Sequence, residues 1–443
     1  MYNPEMETLS NEQVKVLQLG RLQNTIDKVY SNVAFYKHQF DEQNIKPEQI
    51  QSLEDVALLP FTTKKDLRDQ YPFGLFAEPI DHIVRLHASS GTSGKPTVVA
   101  YTKNDIAVWS ELIARAIVAA GGRKGDVFQN AYGYGLFTGG LGLHFGGEEL
   151  GCAVVPISGG NTERQILAIR DFKPRGIACT PSYGLNIAET MKEMGLHPSD
   201  NTLEYGIFGA EPWSEEMRTE LEEMLGIKAV DIYGLSEIMG PGVSIECREA
   251  QDGLHIADDH FLVEVIDPDT LLPVDEGQEG ELVFTTLTKE AFPVIRYRTG
   301  DIASITREKC QCGRTTTRMS RVKGRTDDMI IIRGVNVFPS EIERVLLQIK
   351  GLAPHYQIHL VKNGALDGAQ LHVEVNEEFY TAAGNDLQCE KIHLLEQRIK
   401  HELKSACLVT IQTVVNKPKS LPRSQGKAVR IIDHRKSSPI MLT

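Results

Sequence analysis

The sequence predicts an α/β fold, with a large N-terminal domain built on parallel, helix-covered sheets plus a β-barrel-like part, and a small α+β C-terminal domain. Short apolar strands alternate with helices between about residues 127 and 232. Short strands without long helices follow from about residue 243, and a smaller α+β unit begins near residue 328. Because alternating strands and helices form parallel sheets covered on both faces, we predict domains 1–326 and 327–443.

Size and composition exclude several classes of protein. The 443 residues are 41% apolar and carry a formal net charge of −13. This charge disfavours nucleic-acid partners, because phosphate contacts need a concentrated basic face. No apolar run is long enough to span a membrane, and the polar, acidic stretch Met1–Glu7 is not a secretory signal. Seven irregularly spaced cysteines indicate reduced thiols and a cytoplasmic location.

The N-terminal third contains helices and one strand–loop–strand unit. Residues 8–40 have apolar side chains at helical spacing. Strands are expected at 83–86 and 96–101. A helix capped by Thr102 or Asn104 follows and should end at Gly121.

The loop between the two strands is rich in glycine and hydroxyl groups. The stretch 88–97 reads ASSGTSGKPT, so backbone N–H groups, hydroxyls and Lys95 could surround a polyphosphate. It is not a Walker A loop, because Ser89 stands where the first glycine belongs and Pro96 follows the lysine. Taken alone, the loop fits an ordinary surface turn equally well.

A βαβ unit at 203–234 provides a second candidate site. Its strands end in Gly209-Ala210-Glu211 and in the stretch 233–237. Ligands of parallel sheets bind beyond the carboxyl ends of the strands. Tyr233 could stack on a flat group, and Glu237 could hold a Mg²⁺ that bridges phosphates. The alternative is a pair of tight turns.

Three later motifs complete the set. Asp301, after the turn at Gly300, is suited to accept hydrogen bonds from ribose hydroxyls. The stretch 323–328 could be a hinge, and Lys427 lies on a late loop that could carry it to a phosphate. Each also has a plain interpretation, namely a strand-end turn, a linker and an exposed lysine.

In this order, the five motifs resemble the adenylate-forming superfamily of acyl- and aryl-CoA synthetases, from about residue 55 to about residue 432. Within it, the short length and the stretches Tyr132–Phe137 and Leu287–Glu290 are most similar to ligases that act on phenylacetate. The resemblance implies that ATP and a carboxylate give an acyl-adenylate and pyrophosphate. The small, mobile domain then rotates, and the thiol of CoA displaces AMP.

The resemblance assigns roles to residues of this sequence and implies ATP, CoA and Mg²⁺ as cofactors. Glu237 would bind Mg²⁺, Lys427 would bridge the carboxylate and the α-phosphate, and Asp327 would be the hinge. The residues assigned to ATP or CoA are Ser90, Thr92, Ser93 and Lys95 at the β- and γ-phosphates, Gly209, Ala210, Glu211 and Tyr233 around the adenine with Asp231, Gly234 and Ser236 beside them, Asp301 and Arg325 at the ribose, and Gly334 beside the CoA arm.

The acid pocket is expected near Tyr132, Phe137, Ile232 and Pro241, where aromatic walls suit an aryl ring. The predicted function is therefore ligation of an aryl acid, phenylacetate foremost, to CoA. The alternatives are adenylation of another aryl or acyl acid with transfer to a carrier-protein thiol, and a non-catalytic nucleotide-binding relative. The resemblance further implies a homodimer without membrane partners.

Four residues suggest a structural zinc site. Cys310 and Cys312 form half of a ligand set, although C-x-C is tighter than the usual spacing. Cys247 and His255, expected on a hairpin that turns at Gly253, would complete it. His260 is the alternative histidine, and reduced cysteines without metal are the alternative interpretation.

Overall fold

The computed structural model describes residues 1–89, 96–326, 329–332, 335–363, 366–407, 410–424 and 428–436. The helices of these residues are α1 (Pro4–Glu7), α2 (Asn11–Asn32), α3 (Ala34–Glu42), α4 (Lys64–Asp69), α5 (Lys103–Ala120), α6 (Thr138–Leu150), α7 (Thr162–Phe172), α8 (Pro181–Glu193), α9 (Glu215–Leu225), α10 (Pro339–Leu347), α11 (Glu377–Ala382) and α12 (Glu390–Cys407). Short 3-10 turns are Pro47–Gln49, Glu54–Leu58, Ile80–His82, Pro198–Asp200 and His434–Lys436.

The strands of the described residues fall into two groups along the chain. Those of the N-terminal part are β1 (Arg85–Ala88), β2 (Val98–Tyr101), β3 (Val127–Asn130), β4 (Ala153–Val155), β5 (Gly176–Cys179), β6 (Tyr205–Gly209), β7 (Lys228–Leu235), β8 (Gly240–Glu246), β9 (Leu254–Ile256), β10 (Phe261–Ile266), β11 (Gly280–Thr286), β12 (Tyr297–Ala303), β13 (Ile305–Thr306), β14 (Arg318–Met319) and β15 (Gly324–Arg325). Those of the C-terminal part are β16 (Ile330–Ile332), β17 (Val335–Val337), β18 (Leu352–Asn363), β19 (Leu366–Val375), β20 (Gln412–Asn416) and β21 (Ile431–Asp433).

The predicted parallel sheet is confirmed and is larger than expected. Its nine strands lie in the order β13-β14-β9-β8-β7-β6-β5-β3-β4. The pairs from β4 to β7 are parallel, and β8, β9, β14 and β13 extend the sheet in antiparallel pairing. The carboxyl ends of β6 and β7 therefore lie side by side at one edge, as the βαβ pattern predicted.

The strand-rich stretch after residue 243 divides between two sheets. Part of it joins the large sheet, and β10, β11, β12 and β15 form a separate four-stranded antiparallel sheet. The predicted barrel-like part is thus an antiparallel sheet of these four strands. Pairing of β12 with β15 places Asp301 opposite Arg325, which brings two predicted site residues together.

The strand–loop–strand unit is also present. β1 and β2 pair in antiparallel fashion, with Ala88 opposite Val98. β1 begins at Arg85, two residues later than predicted, because the 3-10 turn Ile80–His82 precedes it. After β2, Thr102 caps α5 by accepting the N–H of Asp105, and the helix ends at Gly121 with φ +105°, a conformation that favours glycine.

The C-terminal part has its own core. Its strands follow the order β20-β19-β18-β21, and α10 and α12 contact this sheet. A cluster of buried apolar side chains between residues 330 and 415 fills the space between them. This is the α+β unit that the sequence predicted. Strand β21 begins four residues after position 427, so the late lysine precedes the edge strand of this sheet.

Helix α2 belongs to the core of the large part. Leu22, Ile26 and Val29 are fully buried, and Gln18 donates hydrogen bonds to the carbonyls of Asp258 and Phe261. Among the described residues, no helix is long and apolar enough to cross a membrane.

Candidate active site

The ends of β6 and β7 form the centre of the site. A Cβ on Gly209 would lie 2.2 Å from the carbonyl oxygen of Ile232, so only glycine fits there without movement. Ala210 has φ +68°, an uncommon conformation for a residue other than glycine. A Cβ on Gly234 would lie 1.8 Å from the carbonyl oxygen of Gly240. The strand ends are therefore too tightly packed at Gly209 and Gly234 to accommodate a side chain.

Three predicted site residues meet beside β7. The hydroxyl of Tyr233 donates a 2.7 Å hydrogen bond to Oδ2 of Asp301, and Arg325 donates from Nη1 to Oδ1 over 2.8 Å. The ring of Tyr233 stacks on Phe284, with the ring centroids 6.2 Å apart. Burial, then the charge of Asp301, raises the pKa of Tyr233 well above its usual value. The tyrosine therefore stays a neutral donor beside a carboxylate.

Asp231, two positions before Tyr233 on β7, has charged neighbours. Its N–H donates to Oε2 of Glu246 over 2.9 Å, and Nε of Arg321 lies 3.8 Å from its carboxylate. Burial, followed by the charge of Glu246, raises the pKa of Asp231 to about 7.

Hydrogen bonds fix the residues at which the glycine-rich loop begins and ends. The N–H of Ser89 donates to the carbonyl of Thr97, and the N–H of Thr97 donates to Oγ of Ser89. On the other side, the N–H of Ala88 and Nδ1 of His87 both donate to the carbonyl of Leu136. The predicted phosphate ligands Ser90, Thr92, Ser93 and Lys95 lie outside the described residues.

Glu237 carries an acidic group that has no partner among the described residues. It is 7% exposed, and no hydrogen bond or ion pair joins its carboxylate to another part of the described chain. Ser236, the residue before it, hydrogen-bonds Thr138 at the start of α6 over 3.1 Å. A buried carboxylate without a protein partner fits a Mg²⁺ ligand, because this ion prefers carboxylate and phosphate oxygens.

The four predicted acid-pocket residues differ in their burial. Tyr132 and Ile232 are each 4% exposed, whereas Phe137 is 45% exposed. Burial, then neighbouring groups that include Glu211 and Asp231, raises the pKa of Tyr132 well above its usual value, which places this side chain near the ends of β6 and β7. Pro241 accepts a 2.9 Å hydrogen bond from Trp109.

The sequence analysis did not predict an aromatic stack that includes Trp109, the hydrogen-bond partner of Pro241. Trp109 stacks on Tyr101 with the ring centroids 5.0 Å apart, and a Cβ on either Gly142 or Gly240 would lie 2.4 Å from the indole. Lys289 places Nζ 3.3 Å from the centroid of Tyr101. The stack joins α6 to β8, and no sequence periodicity marks such a contact across the fold.

The small C-terminal part contacts the site through β6 and α8. Oε2 of Glu211 accepts the N–H of Ala428 over 2.8 Å, and Asn186 donates to the carbonyl of Ser424 over 3.0 Å. The predicted residues Lys427, Asp327 and Gly334 lie outside the described part of the chain. Asn186 was missed by the sequence analysis, because nothing local marks a contact over 238 positions.

The predicted metal cluster is assembled away from the strand ends. The ligand atoms of Cys247, His255, Cys310 and Cys312 all lie within 4.8 Å of one another. Cys247 and Cys310 have their sulfur atoms 3.8 Å apart, and Nε2 of His255 is 3.5 Å from Sγ of Cys312. Thr316 bonds the other nitrogen of His255 over 3.0 Å, which orients the ring towards the sulfurs.

His260 does not share this cluster. Its Nδ1 is 2.7 Å from Oγ1 of Thr288, and its Nε2 is 3.2 Å from the carboxylate of Asp259. The choice that the sequence left open between the two histidines is therefore decided in favour of His255. Pairing of β8 with β9 around Gly253, φ +77°, confirms the predicted hairpin.

Comparisons with known proteins agree with this geometry. The family described as AMP-binding enzyme matches residues 10–287, and the AMP-binding enzyme C-terminal domain matches residues 334–435. The chain therefore belongs to the AMP-binding enzyme family, and the predicted membership of the adenylate-forming superfamily is confirmed.

Curated relatives narrow the family further. The chain is 52% identical to the phenylacetate-coenzyme A ligase of Thermus thermophilus, over 98% of this chain and 100% of that protein. It is 48% identical to the phenylacetate-coenzyme A ligase of Escherichia coli, over 97% of each. The predicted resemblance to this group of ligases is thereby confirmed.

Solved structures resemble the chain to an extent that depends on conformational state. A 2-hydroxyisobutyryl-CoA ligase in the postadenylation state gives a TM-score of 0.91 at 29% identity, over 98% of this chain and 92% of that one. The same ligase with CoA in the thioesterification state gives 0.72 at 30% identity, over 97% and 91%. Over the whole chain, the structure is therefore more similar to that ligase in its postadenylation state than in its thioesterification state.

Proposed function

We propose that the chain joins phenylacetate to coenzyme A at the expense of ATP, through an acyl-adenylate. A carboxylate oxygen attacks the α-phosphorus of ATP, and pyrophosphate leaves. The CoA thiolate then attacks the acyl carbon, and AMP leaves with that oxygen. The observation that carries this proposal is the sequence identity to phenylacetate-coenzyme A ligases over nearly the full length of the chain. The hydrogen bonds of Tyr233 and Arg325 to Asp301, beside the end of β7, support it.

The residues at the ends of β6 and β7 and on β12 would bind the adenine and the ribose of ATP. Gly209, Ala210 and Tyr233 would flank the adenine, and Asp301 would accept hydrogen bonds from the ribose. Its two donors, Tyr233 and Arg325, already orient the carboxylate. Positioning of this kind is the main contribution of a protein to phosphoryl and nucleotidyl chemistry.

Glu237 would hold Mg²⁺, which neutralises charge on the phosphates when bound. Its buried carboxylate supports this assignment. The stretch from Ser90 to Lys95 would hold the β- and γ-phosphates, and Lys427 would contact the attacking carboxylate and the α-phosphate. These last roles follow from the resemblance of the two motifs to those of adenylate-forming enzymes.

The domain division at residues 326 and 327 belongs to the same proposal. Asp327 would be the hinge, and Gly334 would let the CoA arm pass close to the backbone. Support comes from the separate core of residues 330–415 and from the likeness to two states of one ligase.

The acid would bind between Tyr132, Phe137, Ile232 and Pro241. Two of these side chains are aromatic, and aromatic walls suit an aryl ring. Trp109 supports the wall that Pro241 provides, through their 2.9 Å hydrogen bond.

Acid-dependent exchange between ATP and labelled pyrophosphate, over a panel of aryl and aliphatic acids, tests this function. Thioester formation with free CoA is then measured with the best acid. We expect phenylacetate to support both. Exchange without CoA product would favour a carrier-protein thiol as acceptor, and absence of exchange with every acid would favour a non-catalytic nucleotide-binding protein.

We further propose that Cys247, His255, Cys310 and Cys312 hold one structural Zn²⁺. Zn–S bonds of about 2.3 Å in a tetrahedron place two sulfurs about 3.8 Å apart, which is the separation of Cys247 and Cys310. Four protein ligands close such a site, so the ion would stabilise the β8–β9 hairpin and would not take part in the reaction.

Metal analysis of the purified protein tests the zinc proposal. We expect about one zinc per chain, loss of zinc in Cys310→Ser, and a lower melting temperature of that variant. Cys389→Ser, which changes a cysteine outside the cluster, is the control and should retain the metal. A zinc content near zero in the unmodified protein would contradict the proposal.

We propose that the enzyme is a homodimer and that it is located in the cytoplasm. Seven free cysteines support a reducing compartment. Light scattering on the purified protein would test the dimer, and a monomeric mass at micromolar concentration would contradict it.

A further inference from the structure

Two hydrogen bonds from the large part flank the segment 425–427, which carries Lys427 in the sequence. On one side, Asn186 of α8 donates to the carbonyl of Ser424 over 3.0 Å. On the other side, Glu211 accepts the N–H of Ala428 over 2.8 Å. Both partners are backbone groups of the small part, so the contacts fix the backbone at Ser424 and Ala428 and do not involve the side chains of these two residues.

The carboxylate of Glu211 also binds within the large part. Its Oε1 accepts the N–H of Ser182 over 2.8 Å, and Ser182 is the second residue of α8. The residue before the helix, Thr180, makes no side-chain cap, so Glu211 satisfies a donor that the helix start leaves open. One carboxylate thus joins β6, α8 and the small part.

Further contacts of α8 with the small part lie on the same helical face. Asn186, Glu189 and Glu193 are spaced by three and four positions, which places them on one side of the helix. Glu189 accepts a 2.9 Å hydrogen bond from His355 and lies 3.4 Å from Arg423, and Glu193 pairs with Lys419 at 2.5 Å.

The charge of Glu189 is maintained at this contact. Burial alone would favour the neutral acid, but the hydrogen bond from His355 and the charges of Arg423 and Lys419 lower its pKa. Arg423 is itself fixed within the small part by two 2.9 Å hydrogen bonds to Glu374. The face of α8 is therefore complementary in charge to the small part in this arrangement.

We propose that Glu211 and Asn186 are positioning residues that hold the backbone at Ser424 and Ala428, on either side of position 427, in the arrangement used for the first half-reaction. The inference rests on the proposed function, since it concerns the lysine and the domain rotation assigned there. The inference goes beyond the proposed function, because it names the contacts that must form for adenylation and break before thioester formation. Glu211 follows the proposed adenine site at Gly209, so the same turn would serve the nucleotide and the contact with Ala428.

The two half-reactions, measured separately, test this proposal. Glu211→Ala and Asn186→Ala are compared with the unmodified protein in acid-dependent ATP–pyrophosphate exchange and in thioester formation from supplied phenylacetyl-adenylate and CoA. A hydrogen bond to a charged group contributes enough that we expect Glu211→Ala to reduce exchange by about 10- to 100-fold. Thioester formation should stay within about threefold of the unmodified rate, since the contacts of Glu211 and Asn186 with the small part must break for that step.

Asn186→Ala should reduce exchange by about 5- to 10-fold, because a neutral hydrogen bond is weaker. Glu211→Gln keeps one acceptor oxygen and should fall between Glu211→Ala and the unmodified protein. Glu163→Gln, on an exposed position of the neighbouring helix α7, is the control and should change neither reaction.

Three results would overturn the proposal, and a fourth concerns the function. Unchanged exchange in both alanine variants, equal loss in both half-reactions, or a loss that consists only of a higher KM for ATP would each contradict it. The last pattern would mean that Glu211 acts by binding the nucleotide. If Glu211→Ala does not fold, Asn186→Ala decides by the same criteria. Absence of exchange in the unmodified protein would instead contradict the proposed function.

Discussion

The hydroxyl of Tyr233 donates a 2.7 Å hydrogen bond to Asp301, although the two residues belong to different sheets. Tyr233 lies at the end of β7 in the nine-stranded sheet, and Asp301 lies on β12 in the four-stranded sheet. Arg325, on the neighbouring strand β15, occupies the other carboxylate oxygen. The nucleotide site that we propose therefore depends on how the two sheets pack.

Replacement of Asp301 by Asn should weaken ATP binding. The amide has one acceptor oxygen for the two donors that now share the carboxylate, and it carries no charge. We expect a dissociation constant for ATP about 10- to 100-fold higher, from the loss of hydrogen bonds to a charged group. Titration calorimetry measures it, and Tyr233→Phe, which keeps the ring on Phe284, should give a smaller loss. Equal ATP affinity in Asp301→Asn and the unmodified protein would exclude a role at the ribose.

Replacement of Glu237 by Gln should impair the first half-reaction, because it should weaken the binding of Mg²⁺. The change preserves the shape of the side chain and removes the charge that Mg²⁺ prefers. We expect ATP–pyrophosphate exchange to fall about 100-fold or more, and the Mg²⁺ concentration for half-maximal rate to rise. Glu249→Gln, at an exposed position, serves as the control. An unchanged Mg²⁺ dependence would remove Glu237 from the metal site.

Replacement of Gly234 by Ala should disturb the turn that leads to Glu237. The new Cβ would lie 1.8 Å from the carbonyl oxygen of Gly240, so β7 and β8 must separate. Forced insertion into packed structure costs about 1–3 kcal/mol, which thermal unfolding would detect as a lower melting temperature. Gly20→Ala, inside α2 with nothing within 4 Å of its Cβ, should be neutral or stabilising. Equal stability of the two variants would mean that this turn tolerates a side chain.

Lys289 should make stability depend on pH. Burial lowers the pKa of Lys289 from 10.5 to about 7, with partial opposition from the charge of Asp105. Between these two values the unfolded chain holds a proton that the folded chain has released. The free energy of unfolding should therefore rise with pH from about 7 to 10.5, with a contribution of up to about 1.4 kcal/mol per pH unit.

Denaturant unfolding at several pH values measures this effect against Lys289→Met. The variant has no charge to bury, so its advantage over the unmodified protein should be largest near neutral pH and should decline as the pH rises. Lys15→Met, on the exposed side of α2, should show no such trend. A difference between Lys289→Met and the unmodified protein that is independent of pH would contradict the account.

Local signals in the sequence predicted much of this structure. Thr102 and Gly121 bound α5 as expected, and the strand ends at Gly209 and Tyr233 lie side by side because a βαβ unit requires it. Cap, turn and alternation patterns act over a few residues. Their outcome therefore does not depend on distant parts of the chain.

Contacts between distant segments could not be predicted in the same way. Asn186, His355 and Arg423 look like ordinary polar residues until the small part docks on α8. The sequence favoured His255 over His260 without deciding between them, and the register of β9 and the neighbours Thr288 and Asp259 distinguish the two histidines. The sequence around Lys289 did not predict its burial against Tyr101, because the two residues lie far apart along the chain.

The central claim is that the reaction passes through an acyl-adenylate, and transfer of an oxygen atom from the acid to AMP tests this claim most directly. Phenylacetate labelled with ¹⁸O in both carboxylate oxygens is converted with ATP and CoA, and the AMP is analysed by mass spectrometry. An acyl-adenylate leaves one carboxylate oxygen on the phosphorus when the thiol displaces AMP, so the account predicts AMP with one ¹⁸O atom. Product thioester accompanied by unlabelled AMP would contradict it.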